Sequence, residues 1–278
     1  MGGPLYVAAF AVGLTLLLLV VAILARRQLA AELKAGNDAQ RIAAAGEVLG
    51  VFVIAGATVR DAVQGQSLRD DVIACATFGL LGLAASTVAG RLGVRMLLGG
   101  RLREEMSRGN KASGLAAAAQ LLASALVTAR AISGSDLHAL GPSLAFFALG
   151  QATLLVFVTL FRALTTYDDA DQIHGENMAA AVSYAGVTLA IAIVVSRALE
   201  GDFEGWLTSL RGYGGVLLSL LALWPVRQLF VQTILLRAPL HVRGGALDVA
   251  IAERRSTGMA ALEAASYIAT AMAISQIA

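Results

Sequence analysis

Long apolar stretches alternate with short polar ones along the whole chain. Eight of them are candidates for crossing a membrane, at residues 5–25, 42–59, 72–98, 112–129, 143–161, 178–196, 213–236 and 257–278. A helix of 18 residues, the shortest stretch here, measures about 27 Å, close to the thickness of a bilayer's hydrocarbon core. Strands of a membrane barrel are shorter and alternate in polarity. The pattern therefore predicts an all-α polytopic transmembrane helix bundle of about eight spans.

The composition supports this class and excludes others. Of the 278 residues, 58% are apolar and 14% are charged, and the mean hydropathy is +0.74. That apolar content excludes a disordered protein and leaves no block of ordinary composition for a soluble domain. Cys75 is the single cysteine, which excludes a disulfide scaffold. The net charge of +2 does not indicate a nucleic-acid partner, so we expect membrane lipids as the surroundings.

The distribution of Lys and Arg predicts the orientation of the spans. Sixteen of the 21 cationic residues lie in the segments that follow spans one, three, five and seven, or at the helix ends that enter those segments. Cationic segments remain in the cytoplasm. We therefore expect a multi-pass protein of the bacterial inner membrane with both termini outside the cytoplasm.

A short motif recurs before the second, fourth and sixth spans. It consists of a charged amphipathic stretch followed by Gly36 and Asn37, by Gly109 and Asn110, or by Gly175 and Asn177. A degraded form ending in Ser256 and Thr257 precedes span eight. Gly can end a helix in the left-handed conformation, and Asn can cap the next helix. The motif predicts a helix along the membrane followed by one across it, although the same position also suits an anion.

The repeat is a two-helix hairpin, and the copies are parallel. Arg60, Arg130 and Arg197 close the outgoing spans about one membrane thickness after each Asn. Copies with two spans each have the same orientation and are related by an axis along the membrane normal. Such a row of hairpins needs no further soluble domain.

A duplication of half the chain is also visible, which predicts two halves at residues 1–139 and 140–278 within one membrane domain. Gly3 and Pro4 precede span one, as Gly141 and Pro142 precede span five. Span one then corresponds to the second helix of a hairpin, and span eight to a first helix. We predict a pseudo-fourfold ring of four hairpins closed where these two spans meet. The alternative is a side-by-side row, for which a homodimer rather than a monomer is expected.

These features resemble a known family. The Gly-Asn motif, the Ala-rich span and above all residues 173–182, Ile-His-Gly-Glu-Asn-Met-Ala-Ala-Ala-Val, are similar to the YjfL-like inner-membrane proteins, domain of unknown function 350. The chain resembles two such proteins fused in tandem. The resemblance implies repeated hairpins in the inner membrane but no established activity. It also implies an envelope role, since the family's genes accompany peptide-ligase-like enzymes and membrane-stress proteins.

Four polar residues inside the spans are the candidates for a substrate or ion pathway. They are Glu47, Gln120, Arg227 and Glu263. Ionisable groups within a membrane are costly unless paired, protonated or hydrated, and they mark functional sites by default. The alternative is that both carboxylates lie near enough to the cytoplasmic face to be wet. We expect Glu263 to be the partner of Arg227, which lies beside Pro225.

Other polar groups carry weaker predictions. Arg60, Arg130 and Arg197 form either an anion-attracting ring or membrane anchors paired with Asp61 or Glu200. The acidic segment 168–176 favours a solvated loop over a cation site. The three histidines are too few for a metal site. We expect no metal, no cofactor, no catalytic residues and no enzymatic activity.

Two functions remain at this point. The first is a small-solute or ion channel or transporter, in which the polar residues inside the spans face a hydrated cavity. The second is a non-transporting scaffold that binds a cytoplasmic protein partner in an envelope-stress or peptide-ligase-associated system. In the scaffold, those polar residues are instead paired between tightly packed helices.

Overall fold

The computed structural model describes residues 3–25, 27–132, 134, 140–201 and 203–277, and of residues 27 and 28 it describes the backbone. Within this part of the chain every regular element is helical. In order, the helices are α1 (Pro4–Ala25), α2 (Arg27–Ala35), α3 (Asp38–Ala62), α4 (Leu68–Leu98), α5 (Leu102–Ser107), α6 (Lys111–Ala131), α7 (Leu140–Arg162), α8 (Asp169–His174), α9 (Met178–Ala198), α10 (Trp206–Leu235), α11 (Ala246–Asp248, continued by a π-helical turn over Val249–Glu253) and α12 (Thr257–Ile277).

Eight of these helices are long and apolar enough to cross a membrane, as the hydropathy pattern predicts. The short helices α2, α5, α8 and α11 precede α3, α6, α9 and α12 in the positions expected for amphipathic segments. The largest difference from the predicted boundaries is at the starts of α3, α4 and α10. Their first turns contain polar or charged residues such as Asp38 and Asp70. Hydropathy alone does not distinguish such residues from a loop.

The spans form two rows. The inner row is α3, α6, α9 and α12, each packed along the next. In the flanking row, α4 contacts α3 and α6, α7 contacts α6 and α9, and α10 contacts α9 and α12. Helix α1 packs on α3 and α4. It therefore takes the place that the second helix of a preceding hairpin would take.

The predicted closure of a ring is not confirmed. Among the described residues, α1 and α12 share no extended interface, and neither do α3 and α12. The hairpins follow one another in chain order from α3 to α12. A small rotation between successive hairpins decides between a row and a ring, and no local pattern in the sequence specifies that angle.

Small residues bring the inner helices into close contact. A Cβ atom added at Gly46 of α3 would lie 2.5 Å from the Cα of Ala118 in α6. One added at Gly186 of α9 would overlap the backbone of Ala264 in α12. Between membrane helices there is no hydrophobic driving force, so this close packing is a main source of their attraction.

Helix α10 departs from regular α-helical geometry. It is α-helical over Trp206–Leu217, 3₁₀-helical over Leu218–Ala222 and π-helical over Val226–Leu235, with one α turn at Leu223–Pro225 between them. Pro225 lacks a backbone N–H and cannot continue the regular hydrogen-bond ladder. Its flanking counterparts α4 and α7 are continuous α-helices.

We predict that Gly46→Val destabilises the protein by about 1–3 kcal/mol, because the added methyl groups force α3 and α6 apart. The measurement is thermal unfolding of the detergent-solubilised protein, followed by circular dichroism. Gly13→Val is the matched control, since nothing lies within 4 Å of a Cβ at Gly13. Equal losses of stability in the two variants would contradict the close approach described above.

Candidate functional site

The Asn of each span start binds two helices at once. The Asn37 side-chain oxygen accepts a hydrogen bond from the Gln40 backbone N–H at 3.0 Å, so it caps α3. Its amide nitrogen donates to the carbonyl oxygens of Met106 at 2.9 Å and Ser107 at 3.1 Å, at the end of α5. One side chain thus satisfies the start of a span and the end of the amphipathic helix in the next repeat.

The same arrangement recurs in the next two repeats. Asn110 accepts from Ser113 and donates to Ile173 at 2.8 Å and His174 at 3.2 Å. Asn177 accepts from Ala179 and Ala180 and donates to Ile251 at 2.9 Å. Both side chains are almost fully buried. We call these three residues the Asn joints.

The fourth span start differs from the other three in the residue that caps it. Helix α12 begins at Thr257, so Ser256 occupies the capping position. Its carbonyl oxygen accepts from the Ala260 N–H at 3.1 Å, as that of Asn177 accepts from Ala181. A serine has a single short hydroxyl, so it cannot make the paired donor contacts that the amides of the Asn joints make.

The glycine of the motif was expected to end the amphipathic helix in the left-handed conformation, and this is confirmed in one repeat. Gly109 is in the left-handed region, with φ of 96°. In the third repeat Glu176 takes that conformation, at 61°, rather than Gly175, and in the fourth Arg255 does, at 50°. Gly36 does not adopt a positive φ. A Cβ at Gly36 would collide with the Glu32 carbonyl oxygen, so close approach explains the glycine there.

A cluster of buried charges joins the helices of the second half. Arg227 of α10 donates through Nε to Glu263 Oε1 of α12 at 2.5 Å and through its terminal nitrogen to Asp248 of α11. These three side chains are 3%, 1% and 1% exposed. Glu263 is the partner expected for Arg227. Two charged side chains deep in a helix bundle are therefore matched to each other.

Ser183 of α9 connects this group to a second ion pair. Its hydroxyl donates to Glu263 at 2.5 Å and accepts from Arg162 at 3.0 Å. Arg162, the last residue of α7, forms a bidentate ion pair with Asp169 of α8. We call Arg162, Asp169, Arg227, Asp248 and Glu263 the charge cluster. It contains two cations and three carboxylates.

Burial dominates the electrostatics beside the cluster. The pKa of Tyr167, which accepts a hydrogen bond from Arg162 at 3.0 Å, is raised to about 12 because burial opposes its ionisation. Burial also raises the pKa of Asp169, outweighing the favourable charge of Arg162. Removing charges from water costs several kcal/mol per ion unless partners compensate. Asp169 is therefore the carboxylate of the cluster whose protonated form burial favours.

Three members of the cluster, Arg162, Asp169 and Asp248, are not among the site residues predicted from the sequence. Asp248 is the single carboxylate of the otherwise apolar segment 246–252, and that contrast was the available signal. It also accepts from the Thr166 backbone N–H at 2.6 Å. Asp169 was expected in a solvated acidic loop, which is wrong for this residue, since its side chain is only 9% exposed. Its neighbour Asp168 caps α8.

The structure places Gln120 and Glu47 away from the charge cluster. Gln120 accepts a hydrogen bond from the Tyr184 hydroxyl at 3.1 Å, between α6 and α9. Glu47 lies 3.9 Å from Arg91 of α4. Because α3 begins at Asp38, Glu47 is nine residues into its helix, and Glu263 is six into its own. Glu47 therefore lies about 4.5 Å further along its helix than Glu263 does.

A pocket of about 440 Å³ lies at the opposite end of the inner row from the Asn joints. Arg60, Arg130 and Arg197 line it together with Glu200. Arg130 and Arg197 bind the two oxygens of Glu200 at 2.7 and 2.8 Å. Arg60 pairs with Asp61 at 2.6 Å. The pathway residues Glu47, Gln120, Arg227 and Glu263 are not in its lining.

The described residues contain no group of three His, Cys, Asp or Glu side chains arranged to hold a metal ion. His138 lies outside these residues. Cys75 is a buried free thiol in α4.

We predict that Asn110→Asp destabilises the protein by about 1–3 kcal/mol, since the carboxylate keeps the cap but opposes two buried carbonyl groups. Thermal unfolding in detergent measures the loss. Ser67→Ala is the control, because Ser67 caps α4 through the Asp70 N–H without any bond to another repeat. If the Asn110→Asp protein unfolds at the same temperature as the unmodified protein, then Asn110 stabilises the structure by capping α6 alone, and its bonds to the next repeat contribute nothing.

We predict that Arg227→Met costs about 3–5 kcal/mol, because it leaves Glu263 and Asp248 buried without their cation. The triple variant Arg227→Met, Asp248→Asn, Glu263→Gln removes all three charges and should recover most of that loss. The exposed residue Arg254 supplies the control substitution, Arg254→Met. A triple variant as unstable as the single one would contradict this assignment.

The comparisons with known proteins agree with the geometry of repeated hairpins. A family model described as Domain of Unknown Function (DUF350) matches residues 3–132 and, in a second copy, residues 135–277. No curated protein and no solved structure matches the chain. The matched segments cover nearly the whole chain and confirm the resemblance noted in the sequence. The protein belongs to the DUF350 family, in a tandem duplicated form.

Proposed function

We propose that the protein is an ion-coupled transporter or channel of the bacterial inner membrane, in which the charge cluster takes up and releases a proton. The observation that carries this proposal is the excess of carboxylates over guanidinium groups in a buried network. Ionisable groups inside membrane spans are expensive and belong to proton relays and ion pathways. The proposal involves no catalysis and no cofactor, and both termini lie outside the cytoplasm.

Glu263 is the proposed proton-binding residue. It is the one carboxylate of the cluster that contacts both Ser183 and Arg227, so its ionisation affects both ion pairs. When Glu263 is ionised, Arg227 is held between two carboxylates. When Glu263 is protonated, Arg227 retains Asp248, and α12 loses its ionic tie to α10. A proton thus changes the strength of the α10–α12 contact.

The irregular geometry of α10 supports the proposal that this helix moves near Arg227. Non-α segments within a helix occur often at functional hinges, and interrupted helices form the ion sites of many transporters. Arg227, Gln228 and Gln232 are buried on the π-helical part. Gln232 donates to the Pro239 carbonyl oxygen at 2.9 Å, which joins the segment to the following loop. The span that carries Arg227 is thus the irregular one.

Gln120 and Glu47 extend the proposed pathway into the first half. The Nε2 atom of Gln120 is buried without a hydrogen-bond partner among the described residues. An unsatisfied buried donor suits a transient ligand or water. Glu47 is partly accessible, with its side chain 10% exposed.

The test is proton flux in proteoliposomes that contain a pH-sensitive dye, driven by a potassium diffusion potential. We expect the protein to conduct protons above the level of protein-free vesicles and Glu263→Gln to lower the flux at least tenfold. The amide preserves the shape of Glu263 and one of the two hydrogen bonds that its oxygens accept. Glu253→Gln, at an exposed carboxylate beside α12, is the matched control. Flux that is absent, or equal in the Glu263→Gln protein, would refute the proposal.

A scaffold for a cytoplasmic protein is the second candidate, and the Asn joints favour it. They tie α5, α8 and α11 to the spans of the preceding repeats. The exposed cations Arg101, Arg103 and Arg108 lie on or beside α5 and suit an acidic partner surface. Ion pairs between packed helices are also what this function requires. A folded protein without flux would favour the scaffold.

A further inference from the structure

We propose that the pocket at the end opposite the Asn joints binds a phosphate group, either of a lipid headgroup or of a free phosphate. We call it the arginine pocket, after Arg60, Arg130 and Arg197. The inference concerns a different end of the molecule from the charge cluster and does not depend on the proposed transport.

The arginine pocket is a product of the repeat. Its lining comes from all four inner helices, at equivalent distances from their capping residues. Sixteen residues after the three Asn joints come Val53, Leu126 and Ile193, and twenty residues after Asn110, Asn177 and Ser256 come Arg130, Arg197 and Gln276. The same positions of successive copies therefore face one cavity.

The charge of the lining favours an anion. Three arginines and one carboxylate, Glu200, give the lining a formal charge of +2, and Asp61 beside Arg60 reduces the local value to +1. Arg130 and Arg197 share the single carboxylate of Glu200. Each guanidinium has five donors, so two that converge on one carboxylate keep free N–H groups. A phosphate oxygen can accept them in a bidentate, charge-assisted arrangement.

The depth of the pocket matches a membrane surface. Arg130 and Arg197 are each 19 residues from the first residue of their helices, which is about 29 Å along the axis. That distance places the guanidinium groups at the far headgroup layer. Val53, Leu126 and Ile193 lie about one turn deeper and form an apolar wall. A cationic rim above an apolar wall fits the phosphate and first methylene groups of an amphiphile.

The size and accessibility of the pocket agree with this chemistry. Its volume of about 440 Å³ falls within the usual range of ligand pockets, about 300–1,000 Å³. The side chains of Arg60, Arg130 and Arg197 are 53%, 29% and 32% exposed. A ligand can therefore reach all three without unfolding any helix.

The experiment compares binding of two probes to the full-length protein in a neutral detergent. Short-chain phosphatidylglycerol and inorganic phosphate are each titrated, with short-chain phosphatidylcholine as the zwitterionic reference, and binding is followed by intrinsic tryptophan fluorescence and native mass spectrometry. We expect saturable binding of at least one phosphate probe. Arg130→Gln with Arg197→Gln should weaken it at least tenfold. Arg69→Gln, an exposed arginine at the same membrane face, is the matched control.

A second variant separates the proposal from simple misfolding. Glu200→Gln removes the carboxylate that competes for Arg130 and Arg197, so it should strengthen phosphate binding several-fold, a gain that a damaged fold does not produce. Binding of phosphatidylglycerol alone identifies a lipid phosphate, and binding of inorganic phosphate identifies a free one; both support the site. Binding of neither probe would overturn the proposal. So would affinities in Glu200→Gln and the double arginine variant equal to that of Arg69→Gln.

Discussion

The backbone groups at the ends of membrane helices must be satisfied, and the rest of this structure depends on how that is done. The first N–H groups and the last carbonyl groups of a helix have no partners within it, and where these groups are buried between helices no water replaces them. Asn37, Asn110 and Asn177 satisfy both kinds of group with one planar amide, since it carries an acceptor and two donors. Aspartate lacks the donors and serine lacks the reach. The joint therefore fixes where each repeat meets the next.

Packing follows from that fixed position. Because successive inner helices start in the same register, Gly46 lies against Ala118 of the next inner helix, as Gly186 lies against Ala264, and these small residues allow close contact. The same register brings equivalent residues together at the far end of the row, where Arg130 and Arg197 converge on Glu200. The two halves differ in their interiors. The second half contains the charge cluster, whereas the first retains the looser pair of Glu47 and Arg91.

The sequence predicts most of this architecture, because both the spans and the repeats are local patterns. The pairing of Arg227 with Glu263 was predictable, since the residues lie on consecutive spans and each needs an opposite charge. The roles of Asp248 and Asp169 were not, because short interfacial helices fold back over distances that no pattern encodes. The non-α geometry of α10 was marked only by Pro225. The angle between successive hairpins was also unpredictable, since small angles accumulate from one repeat to the next.

The Asn joints give the series of repeats a direction. Each repeat binds the next through unlike surfaces, an Asn amide on one side and the end of an amphipathic helix on the other, as in a head-to-tail polymer. Such a contact cannot be reversed, so a repeat has one orientation available where it meets its neighbour. Helix α1, packed on α3 and α4, occupies the side of the first complete hairpin where a preceding hairpin would lie. The order of the repeats along the chain is therefore also their order in space.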